Sequence, residues 1–200
     1  MSARTYLRIG HCAPDDSPVD VFVDGRVVAE AVEFGTISDY LELETGHHDV
    51  NLMPVGGQDE TLLRTVIDFD AGSEYTVLAL GAAEDPDSLV LQDRNEVHSR
   101  AGRLRVVNVC LDVPAVDVGF DGAMKFSNLP AGTASEYANF GADDYTMQVV
   151  PTDAGELLFE VPDVRIEDGM TYTAFIVGEV ATGSFDVVVT HDHRPTAKMA

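Results

Sequence analysis

A short stretch of alternating apolar residues occurs twice in this chain, and it constrains the fold more than any other feature. Residues 19–25 are VDVFVDG, and residues 116–122, ninety-seven positions later, are VDVGFDG. Apolar residues at every second position, followed by Asp-Gly, indicate a half-buried strand that enters a tight hairpin, because Gly accepts the positive φ of such turns. The outward acids, Asp20 and Asp24, are expected to be hydrated. At about 3.3 Å per residue they lie too far apart to share one ion.

The same offset of ninety-seven recurs at four further landmarks. These are residues 35–40 with 132–137, Pro54 with Pro151, residues 72–76 with 169–173, and Gly81 with Gly178. We therefore predict two domains, residues 1–97 and 98–200. Each has seven or eight short strands with turns every eight to twelve residues, which is typical of a β-sandwich. Strict alternation favours antiparallel sheets with one wet face, so the predicted fold class is all-β, with two tandem antiparallel β-sandwiches.

The charge balance is strongly acidic. The chain has 35 acids against 12 bases, and Lys125 and Lys198 are its only lysines. The acids are spread over both repeats, with 20 in residues 4–100 and 15 in residues 101–200. At 45% hydrophobic residues the chain is too apolar for disorder, so the acids belong to a folded surface. An even acidic coat is typical of a protein adapted to molar salt, and the lack of a basic patch disfavours nucleic acid binding.

Three further features bear on the environment of the protein. Cys12 and Cys110 stand at nearly equivalent positions of separate repeats, so we expect free buried thiols rather than a disulfide. Free thiols fit a reducing compartment, and the first residues carry no export signal, so a cytoplasmic location is expected, with the cell surface as the alternative. No apolar run is long enough to span a membrane.

The candidates for a metal site are two pairs of residues. Asp68 and Asp70, next to a glycine turn and Glu74, superficially resemble a calcium loop, but the later acids are missing and Arg165 replaces Asp68 in the second repeat. An acidic surface turn is the preferred interpretation.

The second pair is His191 and His193, which would share one face of a strand and could bind zinc or nickel with a third donor. A polar strand end is preferred. No catalytic or cofactor-binding residue is predicted, because no nucleophile elbow, metalloprotease helix or phosphate loop occurs. The repeated tyrosines, Tyr40 with Tyr137 and Tyr75 with Tyr172, are expected in core or tyrosine-corner roles.

A resemblance to a known family rests on residues 11–15 (HCAPD), the hairpin stretch, residues 34–40 and residues 72–77 with Gly81. These residues resemble the domain of unknown function 4397 family, which is found in bacteria and haloarchaea and often in tandem. The resemblance covers nearly the whole chain and is stronger in the first repeat, since Asn108 stands in place of His11 in the second. It implies an immunoglobulin-like β-sandwich and, in many members, export to the cell surface. It supplies no catalytic residues.

Taken together, these features favour a non-enzymatic structural or assembly module that is adapted to high salt and self-associates into oligomers or filaments. The alternative is a binding module that grips a glycan, peptide or divalent cation with the loops at the sandwich ends. An enzyme would need His11, Asp15 and a second histidine clustered in one pocket.

Overall fold

The computed structural model describes residues 3–13, 17–56, 61–81, 86–94 and 100–192. The chain folds into two compact units, with the division between Asp93 and Arg94. The predicted boundary between residues 97 and 98 lies outside the described residues. None of the described residues belongs to a helix that could cross a membrane.

The first unit is a sandwich of eight strands. They are β1 (Arg4–His11), β2 (Val19–Val23), β3 (Arg26–Val32), β4 (Leu41–Glu44), β5 (Gly46–Pro54), β6 (Leu63–Phe69), β7 (Glu74–Leu80) and β8 (Asp87–Asp93). Sheet A1 has the order β4-β1-β7-β8 and sheet B1 the order β3-β2-β5-β6. Alternating residues of both sheets, including Leu7, Val21, Leu52 and Val77, form one buried core between them.

The second unit repeats this architecture with nine strands. They are β9 (Gly102–Asn108), β10 (Ala115–Phe120), β11 (Ala123–Pro130), β12 (Thr133–Ala134), β13 (Ala138–Phe140), β14 (Asp143–Pro151), β15 (Phe159–Ile166), β16 (Thr171–Val177) and β17 (Asp186–His191). Sheet A2 has the order β12-β9-β16-β17, with β13 also paired to β9, and sheet B2 the order β11-β10-β14-β15. The predicted tandem all-β sandwich is confirmed.

One pairing in each sandwich departs from the predicted antiparallel pattern. Strand β1 runs parallel to β7, and β9 runs parallel to β16. All seven residues of β7 and of β16 are buried, as expected for central strands that are covered on both faces. Partners that are separated by the whole intervening sandwich need no tight turn, so their direction is not restricted by a hairpin.

The repeated stretch forms the expected hairpin. Asp24 and Gly25 both have positive φ, at 52° and 74°, as the type I′ turn requires, and Asp121 and Gly122 match them at 49° and 76°. The outward acids, however, are not only hydrated but also accept hydrogen bonds from the backbone. Asp20 Oδ1 accepts the N–H of Ala31 at 2.9 Å, and Asp24 Oδ1 accepts the N–H of Asp49 at 3.0 Å.

The acids of the second hairpin act in the same way. Asp117 Oδ1 accepts the N–H of Asn128 at 2.6 Å, and Asp121 Oδ1 accepts the N–H of Thr146 at 2.8 Å. These outward carboxylates therefore stabilise backbone that the strand ladders leave unpaired.

Candidate functional site

A buried polar network joins sheet A1 to the segment before β4. Arg8 Nε donates to Thr76 Oγ1 at 2.7 Å, and Thr76 donates in turn to Asp93 Oδ2 at 2.7 Å. The hydroxyl of Tyr40 donates to the same oxygen at 2.6 Å, and its ring lies 4.9 Å from the guanidinium carbon of Arg8. The Asp93 side chain is inaccessible to solvent, so its charge is balanced inside the protein.

The second sandwich builds the same network from equivalent residues. Arg105 Nε donates to Thr173 at 2.9 Å, and Thr173 and Tyr137 each donate to Asp192 Oδ2 at 2.6 Å. The Tyr137 ring lies 4.9 Å from the guanidinium carbon of Arg105. Because the same four residue types are bonded to one another around a buried aspartate in both sandwiches, we assign the network to stability rather than to chemistry on a ligand.

The other repeated tyrosine has the role of a tyrosine corner. The hydroxyl of Tyr75 accepts the N–H of Asp70 at 3.3 Å, and that of Tyr172 accepts the N–H of Glu167 at 3.1 Å, five residues upstream in each case. Partial burial raises the pKa of Tyr172 above its ordinary value. Both hydroxyls therefore brace the turn that precedes their own strand.

Both thiols are free and buried, as predicted. Burial raises the pKa of Cys12 to about 12, and burial together with the neighbouring Asp112 raises the pKa of Cys110 to about 12. A thiol is nucleophilic only as the thiolate, so at neutral pH neither group is activated.

The predicted metal candidates have protein partners. Asp68 Oδ1 lies 3.6 Å from Nδ1 of His47, and Asp70 Oδ2 accepts the hydroxyl of Tyr75 at 3.3 Å. The ring of His191 packs edge-on against Tyr172 with centroids 4.8 Å apart, while His193 lies outside the described residues. Within the part of the chain that the structure describes, no three His, Cys, Asp or Glu side chains form a metal cluster.

His11 lines a small cavity at the end of the first sandwich. The cavity holds about 20 Å³, room for one water-sized molecule, and Val19, Leu52 and Leu80 form part of its apolar wall. His11 Nε2 donates to the carbonyl of Ser17 at 3.1 Å. Asp15, the proposed partner of His11 in an enzyme, lies outside the described residues.

The outer face of sheet B1 carries an open groove of about 370 Å³. A row of facing residues crosses all four strands of this sheet, and Phe22, Asn51 and Arg64 of that row line the groove. Val27, opposite Phe22, extends the row on β3 and is 47% exposed. The row thus presents apolar, aromatic, amide and cationic groups in that order.

Asp49 holds the polar groups of the groove in place. Its carboxylate accepts two bonds from Arg64 Nε, at 3.1 and 3.2 Å, and one from Nη2 at 2.5 Å. It also accepts Asn51 Nδ2 at 2.9 Å. The fork geometry restrains the guanidinium although the Arg64 side chain is 67% exposed. The bond to Asp49 raises the pKa of Arg64, which stays charged.

His48 borders this region and also makes two bonds. Its Nδ1 lies 2.7 Å from Asp24 Oδ2, and its Nε2 lies 2.8 Å from the carbonyl oxygen of Glu44. Both ring nitrogens of His48 therefore face acceptor oxygens. The N–H of Asp49 and the neighbouring His48 hold the pKa of Asp24 below its ordinary value. In the second sandwich Tyr145 replaces His48 and donates to the carbonyl of Gly141 at 3.1 Å.

The equivalent face of sheet B2 lacks the groove-lining groups. Its row runs through Met124, Gly119, Gln148 and Glu160, so the aromatic ring is absent and the cation is replaced by an acid. Gln148 Oε1 accepts the N–H of Gly122 at 3.1 Å, and Nε2 donates to Glu160 at 3.4 Å. Sequence reasoning missed this site. An alignment of the two repeats would have indicated it, because these outward positions differ while the neighbouring acids are the same.

A second exposed surface is the loop end of the second sandwich, which we define as residues 109–114, 152–158 and 178–185. Leu111, Leu157 and Val180 are 43%, 53% and 38% exposed there, one on each loop. Asp112 joins two of the loops, since Oδ1 accepts the N–H of Val180 at 3.1 Å and Oδ2 that of Ala181 at 2.8 Å.

One further contact orders these loops. The ring of Phe159, the first residue of β15, lies 5.4 Å from the ring of Phe185, so the strand that follows residues 152–158 packs against residues 178–185. Partial burial alone would raise the pKa of Asp112, but the N–H groups of Ala181 and Val180 and the Cys110 thiol hold it below its ordinary value. Leu111 and Val180 are therefore presented by two loops that are bonded to each other, and Leu157 by a loop whose following strand packs against one of them.

Comparison with models of protein families identifies the family of the chain. The model of the family described as "Domain of unknown function (DUF4397)" matches residues 5–119 and again residues 102–200. The chain belongs to this family. The two matches together cover nearly the whole DUF4397 chain, as the sequence resemblance indicated. No curated protein matches the sequence.

Solved structures similar to the DUF4397 chain are distant. A candidate cell adhesion protein from Bacteroides uniformis is 11% identical, with 96% of this chain and 99% of that chain covered and a TM-score of 0.33. A streptococcal virulence factor that binds α-glucan is 8% identical, with coverages of 90% and 95% and a TM-score of 0.28. The fimbrial anchor protein Mfa2 from Porphyromonas gingivalis is 8% identical, with coverages of 94% and 97% and a TM-score of 0.25. At such TM-scores the similarity carries no conclusion about function.

Proposed function

We propose that this protein is a non-enzymatic tandem β-sandwich, adapted to high salt, that joins copies of itself into oligomers or filaments through the loop end of the second sandwich. The observation that carries the proposal is the exposure of Leu111, Leu157 and Val180 on three loops that meet at one end of a sandwich. Apolar side chains exposed together within a polar rim are typical of protein interaction sites.

Because the surface is acidic, copies of the protein are expected to associate only at high salt concentration. With a net charge of −23, two copies repel each other at low ionic strength. The screening length falls from about 10 Å at 0.1 M salt to about 3 Å at 1 M, so the repulsion is confined to near contacts. The attraction between apolar side chains then determines whether copies associate.

The geometry of the contact determines the form of the assembly. If the loop ends of two copies face each other, the contact is isologous and closes as a dimer. If the loop end meets a different surface of the next copy, the contact is heterologous and builds a ring or filament. Both forms leave the buried networks of the sandwiches intact.

In this proposal the protein works in the cytoplasm, because the free thiols Cys12 and Cys110 favour a reducing compartment. Fractionation of the producing cells would distinguish the cytoplasm from the cell surface.

Sedimentation velocity in molar KCl tests the assembly. We expect species larger than the monomer that increase with protein concentration. The variant with Leu111→Ser, Leu157→Ser and Val180→Ser should remain monomeric, because it lacks the exposed apolar side chains of the contact. It should still fold, since exposed side chains do not contribute to the core. Val66→Ser is the matched control, since Val66 is 65% exposed on a strand face and away from the loop end. A wild-type protein that stays monomeric at high concentration, or a triple variant that assembles normally, would overturn the proposal.

A further inference from the structure

The groove of sheet B1 contains groups that the fold itself does not require. The second sandwich forms the same hairpin, bulge and cross-strand bonds with Gly119 in place of Phe22. It also has Thr146 in place of Asp49 and Gln148 in place of Asn51. The aromatic ring, the carboxylate and the shorter amide are therefore dispensable for this architecture, and their presence together in one groove needs another explanation.

We propose that the groove of sheet B1, lined by Phe22, Asp49, Asn51, Met53 and Arg64, is a binding site for a neutral saccharide. The first argument is the arrangement of donors and acceptors. Arg64 and Asn51 face each other across β5 and β6 and are both bonded to Asp49. This common partner fixes their separation and orientation.

Each of the two side chains keeps one polar group for a ligand. Among the described residues, no bond to Arg64 Nη1 or Asn51 Oδ1 accompanies the bonds to Asp49, which leaves one donor and one acceptor on residues that line the groove. Each hydroxyl of a sugar both donates and accepts, so two neighbouring hydroxyls match this pair. A preorganised pair of planar polar groups costs little entropy when the ligand binds.

The second argument is the charge of the groove. Asp49 is neutralised by the bidentate bond of Arg64, and Asp24 is bonded to His48. A cation would have to compete with Arg64 for Asp49, and an anion would approach a protein with a net charge of −23. A neutral ligand meets neither obstacle.

The third argument is the apolar wall. Phe22 and Met53 are partly exposed and line the groove beside the polar groups. A sugar ring has one face of C–H groups between its hydroxyl edges, and an aromatic side chain offers a flat apolar surface for that face. Apolar walls with a few oriented polar groups are the usual composition of a small-ligand site.

Titration of the full-length protein in molar KCl with maltohexaose, cellohexaose and mannohexaose, followed by ¹H–¹⁵N NMR, tests the proposal. With at least one of the three we expect saturable shifts at the amides of Phe22, Asn51 and Arg64, and none at Gly119 or Gln148. Asn51→Gln and Phe22→Gly, each the residue of the second sandwich, should weaken binding at least about tenfold, equivalent to about 1.4 kcal/mol. Val90→Ser, at an exposed position of sheet A1 and away from the groove, should bind as the wild type does.

Several results would overturn the saccharide site: no saturable shift with any of the three, shifts centred on another surface, unchanged affinity in both groove variants, or tighter binding of anionic polygalacturonate than of the neutral sugars. The site is independent of the loop end of the second sandwich. A monomeric protein that binds sugar would refute only the assembly, and an assembling protein that does not would refute only the groove.

Discussion

At the scale of single residues, the carboxylates of Asp93 and Asp192 are each the common acceptor of several side-chain hydrogen bonds in their sandwich. In both cases a threonine and a tyrosine donate to the same Oδ2 atom, at distances of 2.6 to 2.7 Å. A buried charge that loses one such donor keeps its desolvation cost without the compensating bond. The two tyrosines are therefore expected to matter more for stability than exposed ones.

We predict that Tyr40→Phe lowers the free energy of unfolding by about 1.5–3 kcal/mol, the usual value of a hydrogen bond to a charged group. Tyr137→Phe should have a similar effect on the second sandwich. The measurement is urea unfolding in molar KCl. Tyr145→Phe is the control, because its hydroxyl bonds an exposed carbonyl and its loss should cost no more than about 1 kcal/mol. Equal costs for Tyr40→Phe and Tyr145→Phe would contradict this role of Asp93.

At the scale of the strand, the bulge on β3 and its counterpart on β11 show one backbone shape formed by two residue types. Ala31 has φ of 49° and Asn128 has φ of 53°, and in each case an aspartate of the neighbouring strand accepts the N–H group. Left-handed backbone is costly for alanine and less so for asparagine. The first sandwich therefore carries more strain at Ala31 than the second does at Asn128.

Ala31→Asn should raise the free energy of unfolding by up to about 1 kcal/mol, and Asn128→Ala should lower it by a similar amount. Both positions are exposed, so neither change disturbs the core. Thermal unfolding monitored by circular dichroism would show the opposite shifts in melting temperature. A destabilised Ala31→Asn variant would mean that the strained φ is not what distinguishes the two bulges.

At the scale of the whole molecule, the net charge of −23 is the dominant property. Some of the acids, such as Asp20 and Asp24, are outward carboxylates that accept hydrogen bonds from backbone N–H groups. These hydrogen bonds stabilise the fold at any ionic strength. Others are placed on the surface with few basic residues to offset them. Their mutual repulsion opposes the compact state until salt screens it.

We predict that the melting temperature rises with KCl between about 0.1 M and molar concentrations, because the screening length falls from about 10 Å to about 3 Å over that range. Sucrose at matched osmolality is the control, since it does not screen charge. If the melting temperature does not depend on KCl, or if sucrose raises it equally, adaptation to high salt is refuted.

The sequence alone determined the elements of this fold. Alternation predicted the strands, Asp-Gly predicted the hairpin turns, and the constant offset predicted two copies of one all-β sandwich, because these signals lie within a few residues of each other or repeat at a fixed distance. It also predicted free thiols, and core or tyrosine-corner roles for the repeated tyrosines. Asp20 and Asp24 were correctly expected on the outer face, but local pattern contains no information about which backbone N–H each acid accepts.

Only the tertiary structure decided which distant residues meet. Tyr40 and Asp93 are 53 positions apart in the chain and share one hydrogen bond. The groove joins residues of three strands only because the ladders place Phe22 beside Asn51 and Asn51 beside Arg64. The parallel pairing of β1 with β7 is likewise invisible in the sequence. Strand pairing depends on packing of the complete core, and register decides which outward side chains become neighbours.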